Sequence, residues 1–429
     1  MLTSLFAAIS GMNANGTSLS VIGDNIANMN TVGFKGSRIS FGDVLSGIVG
    51  GSLQVGRGVF ISETSPVFTQ GSFETTASAL DLAIDGDGFF IVSEDGTRHY
   101  TRAGQFSLNK DGNIVNPDGL ALQGYLADAS GNITGTIGNL QITSRQSPAN
   151  ITSSSDIAVN LKASAAVPSA AFTLDGNGDT VDNDPANYNS STTISVYDSQ
   201  GGAHQVTLYF IKTGDNAWDV HYVHQDPADS SLLVDAGTQS LTFNTGGALI
   251  NDNSGTAINF NFGASVTTPQ TIEFNYGTGT GETPVGDGFD GTTQFASDFT
   301  VMNISQNGYS SGSLKNMAIS EEGIITGAFT NGQTRGIGQI APARFVAPAS
   351  LTKLGRNLYA ESFDSGIPIV GKAGTSGLGR ILSNNLELSN VDLAEEFVKM
   401  ISAQRGFQAN SRVITTTDEL MQELVNLKR

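Results

Sequence analysis

The sequence predicts a mainly β protein with an α-helical terminal domain, in which the N- and C-terminal helices pair as a coiled-coil-like inner domain. Two antiparallel β domains follow, and the outer one is inserted in the inner one. Three observations predict this arrangement. Apolar residues recur every seven positions at both ends, short alternating apolar runs separated by Gly, Asn and Asp fill the middle, and two Ser-, Thr- and Gly-rich stretches, 144–169 and 277–293, bracket one internal segment.

The N-terminal end has the spacing of one face of an amphipathic helix. A seven-residue apolar line and a second apolar pair beside it consist of Leu5, Met12, Leu19 and Ile26, with Leu2 and Ile9. The second line continues as Gly16 and Gly23, which lower helix stability and are expected to permit close approach of another backbone. The helix is therefore expected to depend on a packing partner.

The C-terminal end repeats this pattern over a longer stretch. Its apolar line consists of Leu393, Met400, Phe407, Ile414 and Met421. Ser389, with Asp392 three residues later, resembles a capping box and predicts the start of the helix. A second line begins with Phe397 but continues with Gln404 and Ser411, so a self-contained two-stranded zipper is not expected.

These apolar residues are the candidates for helix packing and polymerisation, and we refer to them as the apolar lines: Leu5, Ile9, Met12, Leu19, Ile26, Leu393, Phe397, Met400, Phe407, Ile414 and Met421. Two interpretations fit the pattern. The two helices could pack only as a hairpin within their own chain, or they could also pack against helices of other copies.

Between about residues 41 and 385, alternating apolar residues replace the helical spacing and predict antiparallel strands. Val206, Leu208 and Phe210 alternate before a turn near Asp215. After that turn the alternation continues with Trp218, Val220 and Tyr222. This stretch predicts a β-hairpin with one buried face.

Composition excludes several classes of function. The chain has 21 Lys and Arg against 40 Asp and Glu, a net charge of −19, so nucleic acid and membrane surfaces are not expected as partners. The absence of Cys excludes disulfides, thiolate metal sites and thiol nucleophiles. No Lys or Arg precedes Lys35 and polar residues interrupt the apolar ones, so neither a Sec signal peptide nor a membrane span is predicted.

Motifs that could carry chemistry lack the context that the chemistry needs. Residues 308–312 match a nucleophile elbow around Ser310, but every His precedes Ser310 and a strand is predicted after it. His221 and His224 are three apart in a predicted strand and therefore point to opposite faces. An acidic stretch resembles a calcium loop without its Gly and Glu: Asp175, Asn177, Asp179 and Asp184. No catalytic, cofactor-binding or metal-ligating residue is predicted, and the chain is not expected to be an enzyme.

Residues 10–36, SGMNANGTSLSVIGDNIANMNTVGFKG, resemble the N-terminal signature of the flagellar axial proteins, the rod and hook family. The signature residues are Asn25, Asn28, Asn30, Thr31, Gly33 and Phe34. Residues 395–427 are similar to the C-terminal helix of the same family, and DLAIDGDGFFIV at 81–92 adds a further match. The shorter rod proteins of that family lack a large outer domain, and residues 192–212 and 308–345 resemble the hook proteins, which have one.

The resemblance implies four regions. Residues 1–30 and 389–429 would form the inner polymerisation domain, and residues 31–77 and 361–388 a connecting segment. Residues 78–144 and 301–360 would form the inner β domain. Residues 145–300 would form the inserted outer β domain.

The implied function is structural: many copies would polymerise into a flexible hollow tube that acts as a universal joint between rod and filament. The implied partners are other copies, the rod, hook cap and hook–filament junction proteins, and the flagellar type III export apparatus. No cofactor is implied, and the implied location is the extracellular flagellum, reached without a Sec signal. The alternatives are a distal rod or hook–filament junction protein, a secreted β-rich adhesin, and a hydrolase using Ser310.

Overall fold

Two long helices stand at the ends of the chain, α1 at Leu2–Ala27 and α2 at Leu393–Asn426. The structure is a computed structural model and describes residues 2–45, 56–94, 96–128, 130–142, 146–174, 187–253, 255–281 and 285–426. Strands occupy about half of the described chain between the helices, and turns, irregular segments and a short 3₁₀ helix at Pro348–Ser350 make up the rest. The prediction of a mainly β protein with paired terminal helices is confirmed.

The strands follow one another in three stretches. The first stretch contains β1 (Ser37–Leu45), β2 (Gly56–Pro66), β3 (Phe73–Thr75), β4 (Leu82–Asp85), β5 (Phe90–Glu94), β6 (Thr97–Thr101), β7 (Ser107–Leu108), β8 (Ile114–Val115), β9 (Ala121–Ala127) and β10 (Ile133–Asn139). The second contains β11 (Gln146–Ser147), β12 (Ser154–Lys162), β13 (Ser190–Tyr197), β14 (Ala203–Gly214), β15 (Ala217–Gln225), β16 (Leu233–Phe243), β17 (Leu249–Asn251), β18 (Ala257–Phe260), β19 (Gln270–Asn275), β20 (Thr293–Phe295) and β21 (Thr300–Gln306). The third contains β22 (Gly312–Ile319), β23 (Ile324–Phe329), β24 (Thr334–Ile340), β25 (Ala343–Arg344), β26 (Thr352–Gly355), β27 (Leu358–Ala360), β28 (Ile369–Val370), β29 (Arg380–Ser383) and β30 (Asn385–Glu387).

The chain divides into two compact units. The first consists of Met1–Ser144, Lys315–Ala328 and Thr334–Arg429, and the second of Arg145–Leu314 and Phe329–Gln333. The four regions expected from the sequence remain a prediction, because they assign roles in an assembly to parts of these units.

In the first unit, the main sheet runs in the order β23-β24-β9-β5-β6-β27-β26. Strand β5 is buried on both faces. Phe90 and Val92 belong to one apolar core, while Phe89 and Ile91 belong to a second core, because successive side chains of a strand point to opposite faces. Ile381 of β29 lies in the first of these cores and pairs with Ile84 of β4, so residues near 380 are part of the packed β structure.

The second unit packs two sheets around one core. One sheet has the order β13-β14-β15-β16-β17, and the other has β18-β19-β12-β20 with β21 against β12. The hairpin expected around Asp215 is confirmed, since β14 and β15 pair antiparallel and Phe210 lies opposite Val220. Both of those residues and Trp218 are buried in the core, which explains why the apolar residues alternate in the sequence.

A carboxylate closes the turn between β13 and β14. Asp198 accepts hydrogen bonds from the backbone N–H groups of Gln200 (2.8 Å) and Gly202 (2.9 Å), and its other oxygen lies 2.7 Å from the ring nitrogen Nε2 of His204. Burial alone would raise the pKa of Asp198, but the bonds to His204 and the backbone outweigh burial and lower that pKa below 3.8. The turn is therefore stabilised by the ionised form of the carboxyl group.

Candidate assembly site

The terminal helices pair antiparallel through small and polar residues. A Cβ atom at Gly11 would lie 2.7 Å from Nδ2 of Asn410, and a Cβ atom at Gly406 would lie 2.9 Å from Oδ1 of Asn15. Each helix thus presents an Asn side chain to a Gly of the other helix. A step of four residues along α1 corresponds to a step of four residues back along α2, which is the register of an antiparallel pair.

A set of buried and half-buried positions on each helix continues this contact. We call them the helix seam, and they are Ala8, Gly11, Asn15, Ile22 and Asn25 of α1, with Glu396, Ala403, Gly406, Asn410 and Thr417 of α2. Their spacings of three, four and seven residues match a heptad. The spacing of large apolar residues does not reveal them, because most are small or polar.

The prediction that another backbone approaches α1 closely at Gly16 and Gly23 is wrong. Apart from its own helical turn, a Cβ atom at Gly23 would have no atom of the described chain within 4 Å, and one at Gly16 would only reach the ring of Phe407 at 4.0 Å. The close approach occurs at Gly11 and Gly406 instead. The seam follows the Asn and Gly residues that complement each other across the pair, and the spacing within one helix does not reveal that match.

The apolar lines lie beside the seam and remain partly or largely accessible. In α2, Phe397, Phe407 and Met421 are 47%, 37% and 40% exposed. Half-buried members of the lines are Leu5, Met12, Leu19, Ile26, Leu393, Met400 and Ile414, and Ile9 is exposed. The pairing of α1 with α2 within one chain therefore leaves these apolar side chains incompletely covered.

The start of α2 differs from the expectation. Oδ1 of Asp392 accepts hydrogen bonds from the backbone N–H groups of Ala394 (2.8 Å) and Glu395 (3.1 Å), so Asp392 is the N-cap and the proposed capping box beginning at Ser389 is wrong. Asn390 explains the difference. Its side chain accepts from the N–H of Gly36 and donates to the carbonyl of Val67, which holds the chain before Asp392 outside the helix.

The β1–β2 hairpin adds a third element to the helix pair. The backbone N–H of Val59 in β2 donates to Oγ of Ser10 in α1 at 3.1 Å. Phe41 and Phe60 on the two strands of the hairpin are exposed. The accessible apolar side chains of the terminal helices thus continue onto the neighbouring hairpin.

The signature residue Asn25 joins three segments of the chain. Its Oδ1 accepts from the backbone N–H of Ser37 (2.8 Å), and its Nδ2 donates to the carbonyl of Ser37 (2.9 Å) and to Oε2 of Glu396 (3.2 Å). This buried amide therefore ties the end of α1 to the start of β1 and to α2. An aliphatic side chain could not replace it, because the buried groups around it would lose their partners.

The other signature residues shape the turn after α1. Thr31 donates through Oγ1 to Oδ1 of Asn28, while Asn30 is exposed. Gly33 has a φ of 69°, and a Cβ atom there would lie 2.4 Å from the backbone nitrogen of Ala103, so only Gly fits this close approach. Phe34 is buried, and the ammonium group of Lys353 lies 5.5 Å from the centroid of its ring.

A buried ionic network lies directly behind this turn. Nζ of Lys35 donates to Oε1 of Glu387 at 2.6 Å, and a guanidinium nitrogen of Arg102 lies 3.3 Å from Oε2 of the same carboxylate. The side chains of Lys35 and Glu387 are 0% exposed. Burial lowers the pKa of Lys35, and the charge of Glu387 and its hydrogen bond oppose that effect. Nothing in the local sequence marks these residues as buried, because a lone Lys or Glu normally indicates an exposed position.

The residues considered for chemistry do not assemble a site. Ser310 precedes the strand β22, as expected, where a nucleophile elbow would need a helix. Nδ1 of His221 lies 2.7 Å from a carboxylate oxygen of Asp235, while His224 packs against Phe262 on the other face of the sheet. Asp175, Asn177, Asp179 and Asp184 lie outside the described residues.

Metal-binding clusters and membrane-spanning helices are absent from the described part of the chain. It contains no group of three or more His, Asp or Glu side chains placed to hold a metal ion. Within the same residues, neither helix has the length and apolar content needed to cross a bilayer.

Profiles of flagellar protein families match successive parts of the chain. Their descriptions and matched residues are Flagella basal body rod protein (5–35), Flagellar hook protein FlgE/F/G D1 domain (83–160), Flagellar basal body protein FlaE D2 domain (160–309) and Flagellar basal body rod FlgEFG protein C-terminal (382–427).

Full-length relatives decide the assignment. The flagellar hook protein FlgE of Escherichia coli strain K12 is 35% identical over 430 residues, which cover 98% of this chain and 99% of that protein. This chain belongs to the flagellar hook protein family. Another hook protein, FlgE of Borreliella burgdorferi, is 35% identical over 466 residues and is covered completely, as is this chain. The crystal structure of the Helicobacter pylori flagellar hook protein FlgE2 is also similar, with 16% sequence identity and a TM-score of 0.49. That match covers 72% of this chain and 98% of the Helicobacter pylori chain.

The hook protein family is a structural family of the flagellum and not a family of enzymes. The resemblance of both ends to the rod and hook family, and of the whole chain to hook proteins, is confirmed.

Proposed function

We propose that this chain is the subunit of a flexible hollow tube that acts as a universal joint between the flagellar rod and the filament. The observation that carries the proposal is the separation of two surfaces on the terminal helices. The residues of the helix seam contact each other within one chain, whereas the side chains of the apolar lines beside the seam remain partly exposed. The apolar lines are therefore available to the helices of neighbouring copies.

Covering these lines would contribute favourable free energy to assembly. Burying a large apolar side chain completely stabilises by about 1.5–3 kcal/mol, so covering a side chain that is roughly half exposed contributes about 1 kcal/mol. Phe397, Phe407 and Met421 of α2 are exposed to about this degree. Every copy of a helical polymer would repeat this gain at each equivalent contact.

In this proposal the β domains, and not the terminal helices, would face the solvent outside the tube. The chain carries a net charge of −19, which suits a solvated outer surface, and in the proposal residues 145–300 form the outer domain. The partners in this proposal are other copies, the rod, hook cap and hook–filament junction proteins, and the flagellar type III export apparatus. The polymer would stand in the extracellular part of the flagellum, and its subunits would leave the cell without a Sec signal.

Fibre formation by the purified protein tests the proposal. We expect the full-length chain to form tubes visible by electron microscopy, and residues 72–388, which lack α1, the β1–β2 hairpin and α2, to stay monomeric. The fragment ends at residue 388 so that it keeps Ile381 and the rest of the first core. Tubes formed by the fragment would contradict the assignment of assembly to the terminal helices. In cells, deletion of the gene should leave motors and rods but no hooks or filaments.

A further inference from the structure

The first unit contains a cavity of about 290 Å³ at the edge of β25. Its walls include Phe68, Asp87, Phe89, Arg102 and Arg344. Two arginine side chains thus line one cavity together with aromatic rings. We call this cavity the Arg344 pocket.

The two arginines retain unused hydrogen-bond donors. The Nε atoms of Arg102 and Arg344 are both buried and have no hydrogen-bond partner within the described chain. Arg102, which is 4% exposed, uses its terminal nitrogens on Glu387 and on the carbonyls of Ile84 and Gly86. The guanidinium of Arg344 makes no ion pair with any residue that the structure describes.

Positive charge exceeds negative charge around the pocket. Among the residues that line it, Arg102 and Arg344 contribute two cations, against the single carboxylate of Asp87. Glu387 is fully occupied by Lys35 and Arg102, and Asp87 lies on the exposed rim. One further carboxylate would balance the charge, and a guanidinium group offers paired N–H donors that match a carboxylate.

Large apolar side chains stand exposed beside the pocket. Val346, Phe363 and Ile367 are 80%, 100% and 83% exposed. They lie close to Arg344 because β25 pairs with β28, and because the N–H of Ala347 donates to the carbonyl of Ser365. Exposed apolar groups of this size next to an unpaired cation are typical of a protein interaction surface.

We propose that a second copy of this chain docks here, with an Asp or Glu side chain in the Arg344 pocket and apolar residues over Val346, Phe363 and Ile367. Charge complementarity favours this occupant, because each copy has 40 acidic residues against 21 basic ones. A free inorganic anion would satisfy the guanidinium groups but would leave the apolar side chains uncovered. The inference rests on the proposed polymer and adds a contact outside the terminal helices.

Charge reversal tests the pocket in the full-length protein. Arg344→Glu should raise the critical concentration for fibre formation at least about ten-fold, since it places a carboxylate against a carboxylate. Lys110→Glu makes the same charge change at an exposed turn of the same unit and should alter that concentration less than about two-fold. Thermal unfolding of each monomer checks folding, and Arg344→Gln replaces the charge reversal if Arg344→Glu does not fold.

A photo-crosslinking residue at Phe363 tests the occupant. Irradiated fibres should contain crosslinks between copies, and the captured peptide should carry an Asp or Glu within a few residues. The inference would be overturned by equal effects of Arg344→Glu and Lys110→Glu, or by crosslinks confined to single chains. It would also be overturned if inorganic phosphate bound the monomer in an Arg344-dependent manner while Arg344→Glu assembled normally.

The experiments distinguish a failure of the proposed polymer from a failure of the proposed docking surface. Absence of wild-type fibres would refute the polymer, whereas crosslinked dimers at high protein concentration would still support docking at Phe363. The absence of such dimers as well would overturn the docking surface.

Discussion

Replacement of Glu387 by Gln should destabilise the first unit strongly. The carboxylate of Glu387 lies between Lys35 and Arg102, and it also accepts the backbone N–H of Gly71 at 3.0 Å. Gln preserves the volume and one acceptor oxygen but removes the charge. Two buried cations would then face each other without an anion between them.

The expected loss of unfolding free energy follows from the burial of these charges. Removing one partner of a buried ion pair typically costs about 3–5 kcal/mol, because the remaining charge stays desolvated and uncompensated. For a unit of this size, that corresponds to a decrease in Tm of roughly 6–20 °C. The double variant Lys35→Met, Glu387→Gln should lose less than the sum of the two single changes, since it removes one of the stranded cations together with the anion.

Calorimetry together with fluorescence separates the two units. Trp218 is the single Trp of the chain and lies in the core of the second unit, so its fluorescence reports that unit, while calorimetry records both. Glu387→Gln should therefore shift a calorimetric transition and leave the Trp218 transition unchanged. Glu321→Gln makes the same chemical change in an exposed ion pair with Arg380 and should cost about 0–1 kcal/mol.

The stability of the Glu387→Gln variant should depend on pH in a defined direction. Burial already lowers the pKa of Lys35 below its ordinary value of 10.5, and loss of Glu387 would lower it further. Between the folded and unfolded pKa values the unfolded state binds more protons, so the stability of the variant should rise as pH increases towards 10.5. A loss from Glu387→Gln that equals that of Glu321→Gln at neutral pH would refute the assignment of a stabilising role to the buried carboxylate.

Three further predictions concern the helix seam, the apolar lines and the turn of the second unit. Gly406→Leu should overpack the seam and destabilise the helix pair by about 1–3 kcal/mol, whereas Gly23→Ala should stabilise α1 by about 0.5–1 kcal/mol, both measured by urea unfolding followed at 222 nm. Phe407→Asp should prevent fibre formation because it buries an unpaired charge at each contact, while Gln404→Glu on the polar line should be tolerated; equal damage from both would assign the wrong face of α2. Because the pKa of Asp198 is lower in the folded state than its ordinary value of 3.8, the ionised carboxylate stabilises the fold at pH values above 3.8, and this stabilisation is lost as the pH falls through the folded-state pKa. Asp198→Asn should therefore reduce the loss of stability that the Trp218 transition shows between about pH 7 and pH 3.

The sequence by itself determined which segments form which elements. Helical spacing repeats within α1 and α2, and apolar alternation repeats within β14 and β15, because each pattern records the face that one continuous segment buries. The same local patterns located both terminal helices and the hairpin after Val206. Matching signatures at the two ends also indicated the family.

Only the tertiary structure decided which residues of these elements meet. Asn25 and Glu396 are 371 positions apart, and Lys35 and Glu387 are 352 apart. Gly11 and Asn410 complement each other in shape, although neither is apolar. Local periodicity carries no information about such pairs, since the stabilising partner of each residue lies in a distant segment. The helix seam, the buried ionic network and the Arg344 pocket arise from these contacts, because burial and charge compensation depend on what the fold places next to each group.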